Sequence, residues 1–301
     1  MHRLAILAAL IGSAQQPSFQ TQTDIVNILV TVRDQHNRIV TTLSKSNFRV
    51  FEDGRPRDVQ YFARDSSAPL TLGVVIDSSP VQSFLLQAER DAVMNFFSTA
   101  VREKDLAFLI NFASDVTLLT DLTNDHTSLQ RGLRQMRSSG PYAPGPLAEL
   151  NLGRAHLSDA IYLASEKLAV EGGHKAILLI ASGDDKGSKV KLDEALTLTR
   201  KADAAVYAIR YSDGEGSTYA SLSQQTVMRK IADATGGRSL TPAGPDSLIG
   251  AVREVAEELR GQYSIGFTPA KLDGKFHKIE VRLDERGLRA ESRKTYFAEP
   301  H

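Results

Sequence analysis

Two short clusters of oxygen-bearing side chains follow the most apolar stretches of the sequence. Asp77 and Ser79 come directly after the run LTLGVVI, and Ser182, Asp184 and Asp185 follow the run KAILLIA. Carboxylate and hydroxyl oxygens are the ligands that a hard cation such as Mg²⁺ prefers. In open α/β sheets, ligands bind beyond the carboxyl ends of the strands. The two clusters therefore predict a site at such a sheet edge, either a metal site, a catalytic carboxylate or the remnant of one.

Apolar runs and helical periodicity alternate between residues 70 and 260 and predict the elements that hold these clusters. Continuous apolar runs are typical of parallel strands that are covered on both faces, and an apolar stripe at helical spacing indicates an amphipathic helix. The predicted fold class is α/β, with a doubly wound, mostly parallel sheet. The strands are predicted at 70–76, 106–113, 175–182 and 205–210. The helix starts are predicted at Asp125 or Thr127, at Ser158 and at Asp246.

Both ends of the chain carry strand patterns outside this region. We predict an N-terminal β flank at residues 24–65, with a hairpin at Asp53-Gly54, and a C-terminal β flank at 261–298. Neither flank has enough strands for a stable core of its own. The two flanks are therefore expected to pair in a smaller β-sandwich, into which the α/β domain (70–260) is inserted. The basic residues near the C-terminus are interpreted as a charged edge strand; they are Arg286, Arg289, Arg293 and Lys294.

The N-terminus and the charge balance limit where the protein acts and what it binds. Residues 1–14 combine a basic start, an apolar stretch and Gly12-Ser13-Ala14, which is typical of a signal peptide and predicts export to the periplasm or the exterior. No later segment is apolar and long enough to predict a membrane span. The 36 basic and 36 acidic residues balance, which argues against nucleic acid as a partner. Cysteine is absent, so thiolate chemistry and disulfides are excluded.

The order of these segments resembles a known family. The leading FRVFEDGRPRDVQYF, the PLTLGVVIDSS segment and the closing QYSIGFTP, DGKFHKIEVRL and RKTYF are together similar to a von Willebrand factor type A (VWFA) protein. The likeness is to the bacterial VWFA-related group known from acidobacterial genomes, and it covers nearly the whole mature chain. The resemblance implies a VWFA domain at 70–260 and a metal-ion-dependent adhesion site at its strand ends.

Three of the five oxygen ligands that the resemblance implies are altered in this sequence. The first family motif is Asp-x-Ser-x-Ser, and here Asp77 and Ser79 match whereas Val81 does not. The second loop normally supplies a Thr where this chain has Ala155, and the third motif supplies an Asp where it has Ser182. Too few oxygens and too little charge remain for tight binding of a divalent ion. We therefore expect no cofactor beyond weak Mg²⁺ or Mn²⁺ binding at Asp77 and Ser79, with Asp184 as a substitute ligand.

Other chemistries lack their motifs. The sequence contains no G-x-G-x-x-G, G-x-x-x-x-G-K-[ST], G-x-S-x-G or H-E-x-x-H. A receiver-type phosphoacceptor would need an acidic cluster before the first α/β strand, where only Asp65 is present. Nucleotide binding, serine hydrolysis and zinc proteolysis are therefore disfavoured.

The favoured function is an exported, non-enzymatic protein-interaction or adhesion module with a degenerate metal site. Its partner contacts are predicted in the loops 78–83, 138–157 and 182–190, with Tyr142, His156 and Ser182 as candidate contact residues. His156 alone is more readily explained as a solvated loop histidine. Two alternatives stay open. One is a Mg²⁺- or Mn²⁺-dependent switch or enzyme that uses Asp77, Ser79 and Asp184, and the other is a structural component of the cell envelope.

Overall fold

A computed structural model describes residues 25–64, 68–79, 82, 85–137, 155–211 and 219–300 of the chain. The predicted signal peptide, residues 1–14, and the predicted contact residue Tyr142 lie outside the described residues.

A six-stranded sheet forms the centre of the fold, in the order β10-β9-β8-β5-β6-β7. All neighbouring strands are parallel except β7, which pairs antiparallel with β6. The strands are β5 (Leu70–Asp77), β6 (Leu106–Phe112), β7 (Val116–Thr123), β8 (His174–Ala181), β9 (Ala204–Arg210) and β10 (Ser239–Leu240). Every residue of β5 is buried, because helices cover the sheet on both faces, as the continuous apolar runs predicted.

Six helices within the described residues form the two outer layers. The apolar faces of α1 (Leu86–Ala100), α2 (His126–Gln135) and α6 (Pro245–Arg260) share one core with one face of the sheet. On the other face lie α3 (Leu157–Ala169), α4 (Leu192–Lys201) and α5 (Tyr219–Thr235). None of the helices in the described part of the chain is both long and apolar enough to span a membrane.

The two chain ends form two further four-stranded sheets. One has the order β13-β1-β11-β4 and the other has the order β14-β12-β2-β3, so each sheet contains strands from both flanks. The apolar side chains of these strands share a third core. The predicted α/β domain inserted in a β-sandwich of the two flanks is therefore confirmed. The strands are β1 (Val26–Arg33), β2 (Phe48–Glu52), β3 (Arg55–Arg57), β4 (Tyr61–Arg64), β11 (Tyr263–Phe267), β12 (Phe276–Leu283), β13 (Arg289–Glu291) and β14 (Thr295–Phe297).

The strand segments at both ends divide more finely than the sequence predicts. The stretch 48–62 forms not one hairpin but the β2–β3 hairpin and a third strand, β4, in the other sheet. The stretch 288–297 likewise splits between β13 and β14, which lie in different sheets. In each stretch the chain crosses from one sheet of the sandwich to the other, because a limited number of residues must supply edge strands to both sheets.

Two of the three predicted helix starts are shifted. Asp125 caps α2 as predicted, and its carboxylate accepts the N–H groups of Thr127 and Ser128, each at 3.0 Å. Helix α3 instead begins after His156 and α6 after Gly244. Ser158 and Asp246 fall in the first turns of these helices, where the helix dipole favours the Asp246 carboxylate.

A buried ionic network joins the sandwich to the α/β domain. Glu258 on α6 accepts hydrogen bonds from Arg33 of β1 and, at 3.0 Å, from Nε of Arg238. Arg238 also pairs with Glu254 at 2.8 Å. The side chains of Arg33 and Glu258 are only 2% and 3% exposed. Because buried charges require partners in fixed geometry, this network fixes one position of the sandwich against α6.

Candidate functional site at the strand ends

The register of the central sheet brings the two predicted clusters together. Strands β5 and β8 are parallel neighbours, and Ile76 lies opposite Ile180. Asp77 at the end of β5 and Ser182 just after β8 therefore lie side by side at the same sheet edge. The edge is the one at which ligands bind in open α/β sheets.

Both carboxylate oxygens of Asp77 are held by hydrogen bonds from the chain itself. Oδ1 accepts the N–H of Ser79 at 2.9 Å. Oδ2 accepts the N–H of Ser182 at 3.3 Å and its hydroxyl at 3.0 Å. Asp77 is fully buried, and burial raises the pKa of its carboxyl while the bonds from Ser79 and Ser182 oppose that shift. Ser182 thus supplies a donor at the position where the family motif has a second carboxylate.

Asp184 is near this pair in sequence but makes different contacts. Its backbone N–H donates to the hydroxyl of Ser182 at 3.2 Å, and its side chain is 25% exposed and lies 3.9 Å from Nζ of Lys186. No hydrogen bond joins Asp184 to Asp77 in the described part of the chain. The predicted ligands Asp77 and Ser79 are therefore brought together, whereas the partly exposed Asp184 lies beside Lys186 instead.

The segment 182–190 is tied to the start of α3. Asp185 accepts hydrogen bonds from the hydroxyls of Ser158 and Ser188, the latter at 2.5 Å. Asp159 accepts the N–H groups of Lys189 and Val190 at 3.0 and 2.8 Å. These bonds fix the segment against the helix, so it presents a preformed surface.

His156 and Ala155 lie between this segment and the sheet. The His156 side chain is only 16% exposed, so it is more enclosed than the predicted solvated loop residue. A Cβ atom on Gly187, whose φ is +122°, would lie 2.7 Å from Nε2 of His156. Ala155 is 1% exposed and its carbonyl accepts the N–H of Lys186 at 3.0 Å. Ser182 is 4% exposed with its hydroxyl directed to Asp77, which turns this predicted contact residue away from a partner.

A second buried carboxyl group, Glu89 on α1, escaped the sequence analysis. It is fully buried, and within the described part of the chain neither of its oxygens has a hydrogen-bond partner. Burial, reinforced by the charge of Asp77, raises its pKa well above the ordinary value, and Arg90 only partly opposes this. Among the same residues, Oε1 of Gln82 also lacks a partner, whereas its Nε2 donates to the carbonyl of Tyr211 at 2.7 Å.

The sequence did contain a signal for Glu89. It lies at helical spacing from four residues of the apolar stripe of α1, and a charged residue on such a stripe is buried when the stripe is. The four stripe residues are Leu85, Ala92, Val93 and Phe96.

We expect Glu89→Gln to stabilise the protein at neutral pH, by about 1–3 kcal/mol, because it removes a buried group with no partner for its charge. A carboxyl whose pKa is raised in the folded state binds more protons folded than unfolded, so the wild type loses stability as pH rises above about 4.5. The advantage of the variant should therefore grow from pH 5 to pH 8, which chemical denaturation at each pH measures. The exposed substitution Glu103→Gln is the matched control, and a pH-independent difference would contradict the assignment.

This chain resembles known proteins in its fold and not in its sequence. No protein-family model and no curated protein sequence matches it. Among solved structures, a von Willebrand factor type A protein from Catenulispora acidiphila superposes with a TM-score of 0.51 at 11% identity, covering 93% of this chain and 75% of that one. The α/β domain has the von Willebrand factor type A fold.

A second solved structure also superposes on most of this chain. Proximal thread matrix protein 1 from the mussel byssus matches with a TM-score of 0.52 at 12% identity, covering 76% of this chain and 50% of that protein. The von Willebrand factor type A fold predicted from the order of the motifs is thus found in the structure. At such identities the likeness shows the fold alone, so the function must be argued from the site.

Proposed function

We propose that this chain is an exported, non-enzymatic protein-interaction module of the VWFA-related type, in which the metal site has been lost. The observation that carries the proposal is the state of Asp77. Both of its oxygens accept hydrogen bonds from Ser79 and Ser182, so the chain itself satisfies the carboxylate that a cation would otherwise bind.

The residues around Asp77 do not fit a divalent ion. Ala155 has no side-chain oxygen, and Ser182 contributes a hydroxyl that donates to Asp77 rather than a second negative charge. The described residues contain no group of three histidine, aspartate or glutamate side chains placed to hold a metal. A hard cation needs enough oxygens and charge to offset its lost hydration, and Asp77 with Ser79 alone provides too little of both.

Partner recognition then depends on surface shape and side chains at the strand ends. The segment 182–190 is preorganised by Asp159 and Asp185, and Lys186 on it is 65% exposed. Rigid segments bind with a smaller loss of conformational entropy than flexible ones. The predicted contact loop 138–157, of which residues 138–154 lie outside the described residues, is proposed to complete this surface with Tyr142 as a candidate aromatic anchor.

The test is capture of a partner from the native envelope fraction on the immobilised chain lacking residues 1–14. We expect the same partner to be retained in EDTA and in Mg²⁺, and its capture to fall at least about tenfold for the double substitution Tyr142→Ala and Lys186→Glu. The matched control is Lys271→Glu, an exposed substitution in the sandwich. Unchanged capture by the double variant would remove this face from the proposal.

The alternative of a metal-dependent switch gives a different result in the same system. Mg²⁺ or Mn²⁺ titration by calorimetry would then show micromolar binding that disappears in Asp77→Ala, and capture would require the ion. Export is tested separately by N-terminal sequencing of the protein from its own cells, where cleavage after Ala14 is expected.

A further inference from the structure

A groove lies between α5 and the sandwich strands β12 and β13. It encloses about 500 Å³, a volume in the range of pockets that hold small ligands or short peptide segments. One wall is formed by α5 through Gln225, Arg229 and Asp233, and the other by β12, the end of β13 and the chain between β13 and β14. None of these residues belongs to the site around Asp77.

The edge of β12 borders this groove. Three consecutive residues, Ile279, Glu280 and Val281, line it. Successive side chains of a strand point to opposite faces of its sheet. Three consecutive residues therefore line one cavity when the edge of the strand faces that cavity. On this side β12 pairs with β14 only through residues 276–278, and the last hydrogen bond runs from the N–H of Ile279 to the carbonyl of Lys294.

Beyond this bond the two strands separate, because the chain before Lys294 leads to β13 in the other sheet. Backbone N–H groups alternate between the two sides of a strand, so the N–H of Val281 points to the same side as that of Ile279. Among the described residues it has no hydrogen-bond partner. The groove therefore contains an open sheet edge onto which an extended segment can be added.

The charges of the groove indicate which side chains such a segment carries. Arg238 and Arg293 are paired with Glu254, Glu258 and Asp203. The acidic side chains of β12 and β13 are likewise paired, Glu280 with Arg282 and Glu291 with Arg289.

Among the described groove residues this leaves Arg229 and Lys294 on opposite walls without an ion pair, against one free carboxylate, Asp233. Both cations are exposed. A guanidinium and an ammonium group on either side of an open edge favour carboxylates on the added strand.

We propose that this groove binds an extended acidic segment of a partner protein, which adds to the edge of β12 beside β14. The main chain of β12 supplies the register, and Arg229 and Lys294 supply the preference for acidic side chains. This docking site is separate from the strand-end face, so it does not depend on the proposed function above.

The test uses a fluorescein-labelled heptapeptide that alternates valine with glutamate, and fluorescence anisotropy with the purified chain. We expect saturable binding of the glutamate peptide, and binding at least about tenfold weaker when lysine replaces glutamate. A peptide N-methylated at alternate residues should fail to bind, because it cannot pair with the strand edge.

The protein variants locate the site. Arg229→Glu with Lys294→Glu should weaken binding at least about tenfold, since both cations become like charges toward the peptide. Arg253→Glu with Lys271→Glu changes the net charge equally at exposed positions outside the groove and should leave binding unchanged.

Three results would overturn the proposal. The first is no binding of the glutamate peptide, and the second is equal loss of binding in both double variants. The third is displacement by free glutamate or inorganic phosphate together with retained binding of the N-methylated peptide, which would indicate a small-anion site instead.

Discussion

Ser182→Asp should destabilise the protein in EDTA by about 3 kcal/mol or more and should make its stability depend on Mg²⁺. The substitution removes the hydroxyl that donates to Asp77 at 3.0 Å and places a second carboxylate beside a fully buried one. Two buried like charges without a cation are costly. Thermal and urea unfolding in EDTA and in millimolar Mg²⁺ measure both effects.

The magnesium response should increase when the other lost ligands are restored. The variant to test combines Val81→Ser, Ala155→Thr and Ser182→Asp. An ion that binds only the folded state adds stability as its concentration rises, about 2.7 kcal/mol at one hundred times the dissociation constant. The control is Ser182→Asn, which removes the hydroxyl without adding a charge. This variant should lose less stability than Ser182→Asp, and its stability should not change with Mg²⁺ concentration. If Ser182→Asp is as stable as Ser182→Asn in EDTA, the two side chains do not share one buried site.

Glu258→Gln is expected to cost about 3 kcal/mol, because it removes the counterion that the buried Arg33 and the partly exposed Arg238 share. Each arginine keeps one other carboxylate, Glu291 for Arg33 and Glu254 for Arg238. Urea unfolding monitored by circular dichroism measures the loss. Glu257→Gln, at the adjacent exposed position of the same helix, is the matched control and should change stability by less than about 0.5 kcal/mol.

The double variant Arg33→Met with Glu258→Met separates charge from packing. Replacing a buried ion pair by apolar side chains of similar size is often neutral or stabilising, so this variant should recover much of the stability that Glu258→Gln loses. An equal loss in the single and the double variant would show that shape rather than charge holds α6 to the sandwich.

The fold was predictable because its signals are local and strong. The apolar runs at 70–76 and 175–182 became β5 and β8, and the resemblance in motif order agrees with the fold found by structural comparison. The strand β7 was missed because its sequence, VTLLTDLT, shows neither a continuous apolar run nor strict alternation, and no residue of this edge strand is buried.

The site was predictable in position but not in its contacts. Strand ends placed Asp77 and Ser182 together, yet only coordinates reveal that a serine hydroxyl donates to the carboxylate, since a side chain's hydrogen-bond direction depends on tertiary packing. The unpartnered carboxyl of Glu89 and the open edge of β12 depend on contacts between segments far apart in sequence. No local pattern in 276–283 distinguishes a paired edge from a free one.

The sandwich built from both chain ends also constrains the order of assembly. Strand β1 pairs with β11 and β13. Val26 therefore cannot pair until Phe267 has been synthesised, and Thr31 cannot pair until Glu291 has been synthesised. Contacts between residues so far apart in the sequence form slowly, because the entropy cost of closing a long loop comes before the contacts contribute any stability. A nascent chain interrupted before Tyr263 could complete the six-stranded sheet while β1 and β4 remain single exposed strands. Residues 263–297, which follow the α/β domain in the chain, are therefore those that cover the strand edges left exposed by β1 and β4.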